Sequence, residues 1–258
     1  MLSHSQLKAL RALAQKKHRD AEGLFLAEGP KVVGDLQGWM PCRLLAATPD
    51  YLARHPRVSA QTVVTITPDE LSRASSLRTP RDVIAIYEKP KADAAADAAH
   101  LTALPEHELC LALDGVQDPG NVGTILRIAD WFGLRHVFLS PESADPFAPK
   151  TVQATMGALA RVAVHTVDMT AWLQRLAPTV PVYGTFLRES SDLYAAPLTA
   201  TGVIVMGNEG GGISADVERC VTERLFIPNF PQGSPTSESL NVAIATAITV
   251  AEFRRRMQ

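Results

Sequence analysis

The run Leu109-Cys110-Leu111-Ala112-Leu113 is apolar at every position. A strand of that kind offers no polar face to water, so it belongs inside a parallel sheet covered on both sides. Short runs of the same character recur at His136–Leu139, Val162–His165, Val182–Thr185, Val203–Met206 and Leu225–Ile227, with helical stretches between most of them. That alternation predicts an α/β protein. A last helix is expected from about Ser239 to Arg256, and its Arg254-Arg255-Arg256 end suits the negative pole of a helix. Leu240, Val242, Ile244, Ile248, Val250 and Phe253 cover more than one stripe of it, as in a helix buried on two sides.

At 258 residues the chain has room for a second domain. Before Lys89 the pattern is that of a smaller α/β unit. A helix is expected from Gln6 to about Gln15, followed by a strand at Leu24–Ala27. Glu28-Gly29-Pro30 and Pro68-Asp69-Glu70 each open a helix, and Leu44–Ala46, Val63–Ile66 and Val83–Tyr87 supply further strands. The alanine-rich stretch that follows reads as a linker. The expected division is therefore a domain over 1–88, a linker over 89–107 and a domain over 108–258.

A net charge of −2 excludes a histone-like polycation, and any nucleic-acid contact has to be local. Lys8, Arg11, Lys16, Lys17 and Arg19 form one basic run, and Arg73, Arg78 and Arg81 a second. Three cysteines without a CxxC pair argue against a disulfide framework or a zinc ribbon, and point to a reducing compartment. No metal-ligand spacing, apolar signal core or bilayer-length apolar run is present, so a cytoplasmic protein with neither membrane nor metal is expected.

Polar and glycine-rich chemistry gathers in three segments of the second half. Asp114 to Arg127 leaves the apolar strand, turns at Asp118-Pro119-Gly120 and enters a helix near Asn121. Groups at that strand edge face the crevice where α/β proteins bind ligands. Asn121 and Arg127 do not share a helical stripe, so a turn or a partner chain is needed to bring them together. Gly207-Asn208-Glu209-Gly210-Gly211-Gly212 follows a buried run, and its glycines allow close backbone approach to a ligand. It is not GxGxxG and lacks the Lys-Ser/Thr of a phosphate loop, which counts against a nicotinamide-dependent oxidoreductase. Ile227-Pro228 leads to Ser239-Leu240-Asn241-Val242, where a helix begins. Taken singly, each segment also suits turn formation or helix capping.

In this order, Asn121-x-Gly123-x(3)-Arg127, Gly207-Asn208-Glu209-Gly210 and Ser239-Leu240-Asn241-Val242 resemble the SpoU-type (TrmH-like) RNA ribose methyltransferases of the SPOUT group. The match runs from Leu109 to the C-terminus. Gly23-Leu24-Phe25-Leu26-Ala27-Glu28-Gly29 also resembles that family's substrate-binding domain. The resemblance implies a C-terminal parallel-sheet SPOUT domain threading a trefoil knot, with a small N-terminal α/β domain of L30e-like fold that holds RNA. It implies 2′-O-methylation of ribosomal RNA of the 23S type, with transfer RNA or a non-catalytic RNA-binding module as alternatives, and a homodimer.

S-adenosylmethionine would lie against Met206, Gly207, Asn208, Gly210, Ile227, Pro228, Ser239 and Leu240. Asn121, Arg127, Glu209, Ser239 and Asn241 would carry the reaction, with Glu209 orienting Arg127 or Asn121. The basic run Lys8, Arg11, Lys16, Lys17, Arg19 would meet RNA. Two departures stand out: residues 229–238 form a longer link than the family uses, and Ala243 replaces a frequent serine.

Overall fold

The computed structural model describes residues 1–90, 97–187, 190–231, 234 and 237–257. Part of the expected linker (91–96) and part of the long 229–238 link (232, 233, 235 and 236) lie outside the described residues. The chain divides into two compact units, one made of residues 1–92 with 145–160, the other of 93–144 with 161–258.

The first unit begins with α1 (His4–Ala12) and α2 (Lys16–Glu22), followed by β1 (Leu24–Glu28), α3 (Pro30–Leu36), β2 (Cys42–Ala47) and α4 (Pro49–Arg54). β3 (Thr62–Thr65), α5 (Pro68–Ala74) and β4 (Val83–Glu88) complete its sheet, whose order is β1-β4-β2-β3. β4 runs antiparallel to both neighbours, and β2 pairs with β3 in parallel. Leu26, Ala46, Ile84 and Ile86 of the sheet bury Leu10 and Leu71 from the helices, with Leu13 just after α1.

The basic N-terminal run is not one helix. Ser3 and Gln6 close a capping box at the start of α1, and Gly23 in the left-handed region stops α2. Between the two helices the chain turns inward at Leu13, and this rotates Arg19 into the core, where it is 3% exposed. Its guanidinium donates to the carbonyls of Leu13 (2.8 Å) and Ala14 (2.9 Å) and pairs with Asp145 Oδ2 at 2.5 Å. The expectation that Arg19 contacts RNA is therefore corrected, because all its reachable donors are spent inside the unit. Arg11 is exposed but donates to the carbonyl of Arg73, while Lys8, Lys16 and Lys17 stay on the surface.

In the second unit, α6 (Asp97–His107) occupies much of the expected linker. β5 (Leu109–Leu113), α7 (Pro119–Trp131) and β6 (His136–Leu139) follow. The excursion over 145–160, with α8 (Pro149–Thr155) and a 3-10 turn at Ala158–Ala160, belongs to the first unit, where Phe147 packs on Phe25 with ring centroids 5.1 Å apart. The second unit resumes with β7 (Ala163–Thr166), α9 (Met169–Leu173), β8 (Val182–Thr185), β9 (Ser191–Asp192), β10 (Gly202–Met206), α10 (Ala215–Glu218), β11 (Glu223–Phe226) and α11 (Val242–Arg255).

Its sheet has seven strands in the order β7-β6-β5-β10-β8-β11-β9, and every pairing is parallel. β5 and β10 are buried at every residue, as two-sided parallel strands are. Phe138 stacks on Trp172 at 3.9 Å between ring centroids, and Trp172 donates its indole N–H to the Leu101 carbonyl. The terminal arginines do more than face a helix pole. Arg254 donates to the Phe132 and Gly133 carbonyls at the end of α7, and Arg256 to those of Leu193, Tyr194 and Ala196. No described helix is long and apolar enough to cross a membrane, and the described residues contain no cluster of three or more potential metal ligands.

Candidate active site

β5 and β10 are parallel neighbours that end in register, Leu113 beside Met206. The loops leaving them therefore meet at one sheet edge, and hydrogen bonds join them. Asp114, buried directly after β5, accepts from the Ser214 N–H at 2.7 Å. Gly115 takes φ +67°, a conformation favourable to glycine, and its carbonyl accepts from Asn208 Nδ2 at 2.7 Å. Asn208 Oδ1 accepts from the N–H groups of Gly210 (2.8 Å) and Gly211 (2.9 Å), and its backbone exchanges two bonds with Gly212. With both amide ends and its backbone engaged, Asn208 shapes the glycine turn.

Gly207 is required by close approach. A Cβ there would lie 2.2 Å from the Gly212 carbonyl carbon and 2.3 Å from the Ile213 nitrogen, both backbone atoms that cannot move aside singly. Gly207→Ala is expected to cost about 1–3 kcal/mol of stability, as overpacking does, and to weaken binding of S-adenosylhomocysteine measured by calorimetry. An alanine variant that binds as tightly as the parent would show that the turn is dispensable.

Asn121, Glu209 and Asn241 come together from three separate parts of the chain. Asp118 caps α7 by accepting from the Asn121 N–H at 2.9 Å, which fixes where the Asn121 side chain starts. Asn121 Nδ2 donates to Glu209 Oε1 at 2.7 Å, and Asn121 Oδ1 accepts from Asn241 Nδ2 at 3.1 Å. Asn241 in turn caps α11, its Oδ1 accepting from the N–H groups of Ala243 (3.0 Å) and Ile244 (3.3 Å). Each amide has one orientation consistent with its neighbours, so the chain of bonds from α11 to the carboxylate is directional.

Of the two partners expected for Glu209, the structure pairs it with Asn121 and not with Arg127. The Arg127 side chain lies exposed on α7 and has no hydrogen bond or ion pair with any described residue. Ser239 and Leu240 are exposed just before Asn241, and Ser239 likewise has no described partner. Ile227 and Pro228 are half-buried after β11.

A cofactor held by backbone needs free backbone groups beside apolar surface. Ile227 and Leu240 meet that requirement, because neither uses its N–H or carbonyl in a hydrogen bond with another described residue. Cysteine chemistry does not compete: burial pushes the Cys42 thiol up to about 11 and the Cys110 thiol to about 12. Sequence reading missed Asp114 as an anchor of the site. Its signal was available as the first polar side chain after a wholly apolar strand.

Loops that converge beyond the carboxyl ends of two central parallel strands, one of them glycine-rich, define an α/β ligand-binding enzyme domain. The description "SpoU rRNA Methylase family" matches residues 108–251, and "MRM3-like substrate binding domain" matches residues 4–85. This chain belongs to the SpoU rRNA methylase family. A TrmH-family structure from Porphyromonas gingivalis is 43% identical, covering 99% of both chains with a TM-score of 0.85. An AdoMet-bound rRNA methyltransferase from Sinorhizobium meliloti is 30% identical over 100% of this chain and 98% of its own, with a TM-score of 0.81. The 23S rRNA (guanosine(2553)-2'-O)-methyltransferase RlmP of Bacillus subtilis strain 168 is 28% identical over 97% of this chain and 96% of its own length.

Proposed function

We propose that this chain is an S-adenosylmethionine-dependent ribose 2′-O-methyltransferase acting on ribosomal RNA of the large subunit. The observation that carries the reading is the bonded assembly Asn121–Glu209–Asn241 at the ends of β5 and β10. The family and its 23S-directed relatives supply the substrate class.

S-adenosylmethionine supplies, when bound, a methyl group on a sulfonium that is a good leaving group. The chain's own work is to align and activate the ribose hydroxyl. Met206, Gly207 and Gly210 of the turn, with Ile227, Pro228, Ser239 and Leu240, are assigned to holding the cofactor. Arg127 holds the ribose oxygen as its proton passes to solvent water, together with a neighbouring phosphate. A guanidinium does not deprotonate in proteins, so Arg127 acts as an electrostatic anchor and not as a base. Asn121, held between Glu209 and Asn241, and the exposed hydroxyl of Ser239 position the ribose.

The first unit is assigned to RNA binding as an L30e-like domain, with Lys8, Lys16 and Lys17 among its exposed cations. A trefoil knot is also part of the reading. It is supported by the position of β10 between β5 and β8, and by the tie from α11 to the end of α7 through Arg254 after β11 has been laid beyond β8.

A homodimer completes the proposal. Val242, Val250 and Phe253 of α11 are buried within the chain, but Ile244 remains 53% exposed and Trp131 of α7 84% exposed, an apolar surface suited to a second copy. Sedimentation velocity at micromolar concentration is expected to show a dimer, and a monomer would remove this part of the reading. The activity itself is tested with methyl-labelled S-adenosylmethionine and unmodified transcripts of large-subunit rRNA or tRNA. Label is expected on a ribose 2′-oxygen of the rRNA; label only in tRNA, or none, would overturn the assignment.

A further inference from the structure

Glu28 is 4% exposed, and among the described residues no cation pairs with it. Burying a carboxylate is costly unless hydrogen bonds satisfy it. Among the described residues, all the donors it receives come from one place. Ser75 Oγ donates to Oε2, while the Ser76 N–H (3.1 Å) and Ser76 Oγ (2.7 Å) donate to Oε1. The Leu77 N–H then donates to Ser75 Oγ at 3.0 Å. Glu28 thus pins the first residues of the loop that joins α5 to β4.

The other end of that loop is pinned as well. Asp82 sits at φ +60°, which a non-glycine residue adopts uncommonly, and two contacts hold it there. Its carboxylate accepts from Arg54 Nη2 at 2.9 Å, and its carbonyl accepts from the Thr48 N–H at 2.8 Å. Between the two anchors the loop presents Arg78 and Arg81. Both are exposed, and neither guanidinium has a hydrogen bond or ion pair with any described residue, while the Arg81 carbonyl accepts from the Val83 N–H at 2.6 Å.

We infer that Glu28 is a positioning residue for RNA binding: with Asp82 it fixes the two ends of the Ser75–Asp82 loop, so that Arg78 and Arg81 meet RNA phosphates without first having to be ordered. This rests on the reading of the first unit as an RNA binder and says which part of it makes contact. Two free guanidinium groups on a loop clamped by buried bonds are pre-organised for phosphate, and pre-organisation raises affinity by lowering the ordering cost. The contact would thereby centre on this loop, away from the N-terminal run, in which Arg19 is buried and Arg11 is engaged.

The test uses the full chain and a transcript of large-subunit rRNA, with filter binding at several salt concentrations and calorimetry of S-adenosylhomocysteine in parallel. The Arg78→Ala/Arg81→Ala double variant is expected to bind RNA about 10- to 100-fold more weakly. Its slope of log K against log salt should shrink by about 1.4 to 1.8, the share of two phosphate contacts. Affinity for S-adenosylhomocysteine should not change. Glu28→Gln keeps the shape but replaces an acceptor with a donor facing the serines. It is expected to weaken RNA binding about 3- to 10-fold while keeping the parent slope, because the cations remain. If Glu28→Gln lowers the folded fraction, Ser76→Ala takes its place, with a smaller loss of about 2- to 3-fold expected for one bond. A double variant with parental affinity and slope would overturn the loop contact. Parental RNA affinity in the Glu28 or Ser76 variant would overturn the positioning role. A parent chain that binds S-adenosylhomocysteine but no transcript would overturn the underlying RNA reading, an outcome distinct from either.

Discussion

Replacing Arg127 with alanine is expected to lower the rate of methyl transfer by about 10²–10³, the usual cost of losing one well-placed charge-stabilising donor, while affinity for S-adenosylmethionine stays near that of the parent. The structure supplies the reason for that split. The Arg127 side chain stands exposed on α7 and holds no described residue, so its removal breaks no described bond of the cofactor loops. Arg127→Lys is also expected to be severely impaired. A lysine keeps the charge but loses the planar fork that can hold an oxyanion and a neighbouring phosphate together. Single-turnover rates and calorimetry measured on the same preparations check both statements. Near-parental turnover in Arg127→Lys would show that a point charge suffices. Loss of cofactor binding in Arg127→Ala would move the residue into the cofactor pocket.

Arg19→Ala is expected to destabilise the first unit by about 3–5 kcal/mol, because it strands a partly buried Asp145 carboxylate and leaves the Leu13 and Ala14 carbonyls short of a donor. Asp145→Ala should cost a similar amount for the complementary reason. Replacing both by apolar residues of similar size, Arg19→Met with Asp145→Leu, should recover much of the loss, since no unpaired charge is then left inside. Amide hydrogen exchange is the suitable measurement, because a chain of two units need not unfold in one step. Protection should fall across β1 and β4 and persist in β5 and β10. If Arg19→Ala instead left exchange unchanged and reduced the salt dependence of RNA binding, Arg19 would be a surface cation after all.

Arg19 also shows where sequence reading loses its grip. Its neighbours in sequence are cations, and nothing local distinguishes it from Lys16 or Lys17. The partner that turns it inward is 126 residues away. The excursion over 145–160 was illegible for the same reason, since its place in the first unit depends on contacts with β1 and not on its own pattern. By contrast, β5 and β10 were legible almost to the residue, because a strand buried on both faces must be apolar throughout. The short strand β9, Ser191–Asp192, has no such signature and was missed. Within the site, the three segments could be picked out by their glycines and caps. Which of the two expected partners Glu209 takes could not, because helix spacing constrains Asn121 and Arg127 relative to each other but says nothing about a carboxylate on another loop.

The bond between Asn121 and Asn241 joins residues 120 positions apart, with Glu209 between them in sequence. Local contacts form early and distant ones late, since the chain must lose more freedom to close the larger loop. During synthesis the first unit and β5 can begin to organise while α11 has yet to be made. The directional run of amides proposed to set the ribose in place cannot exist until α11 has a capped first turn. Catalytic competence is thus tied to the final stage of the molecule's own maturation: a nascent or truncated chain could hold RNA without modifying it.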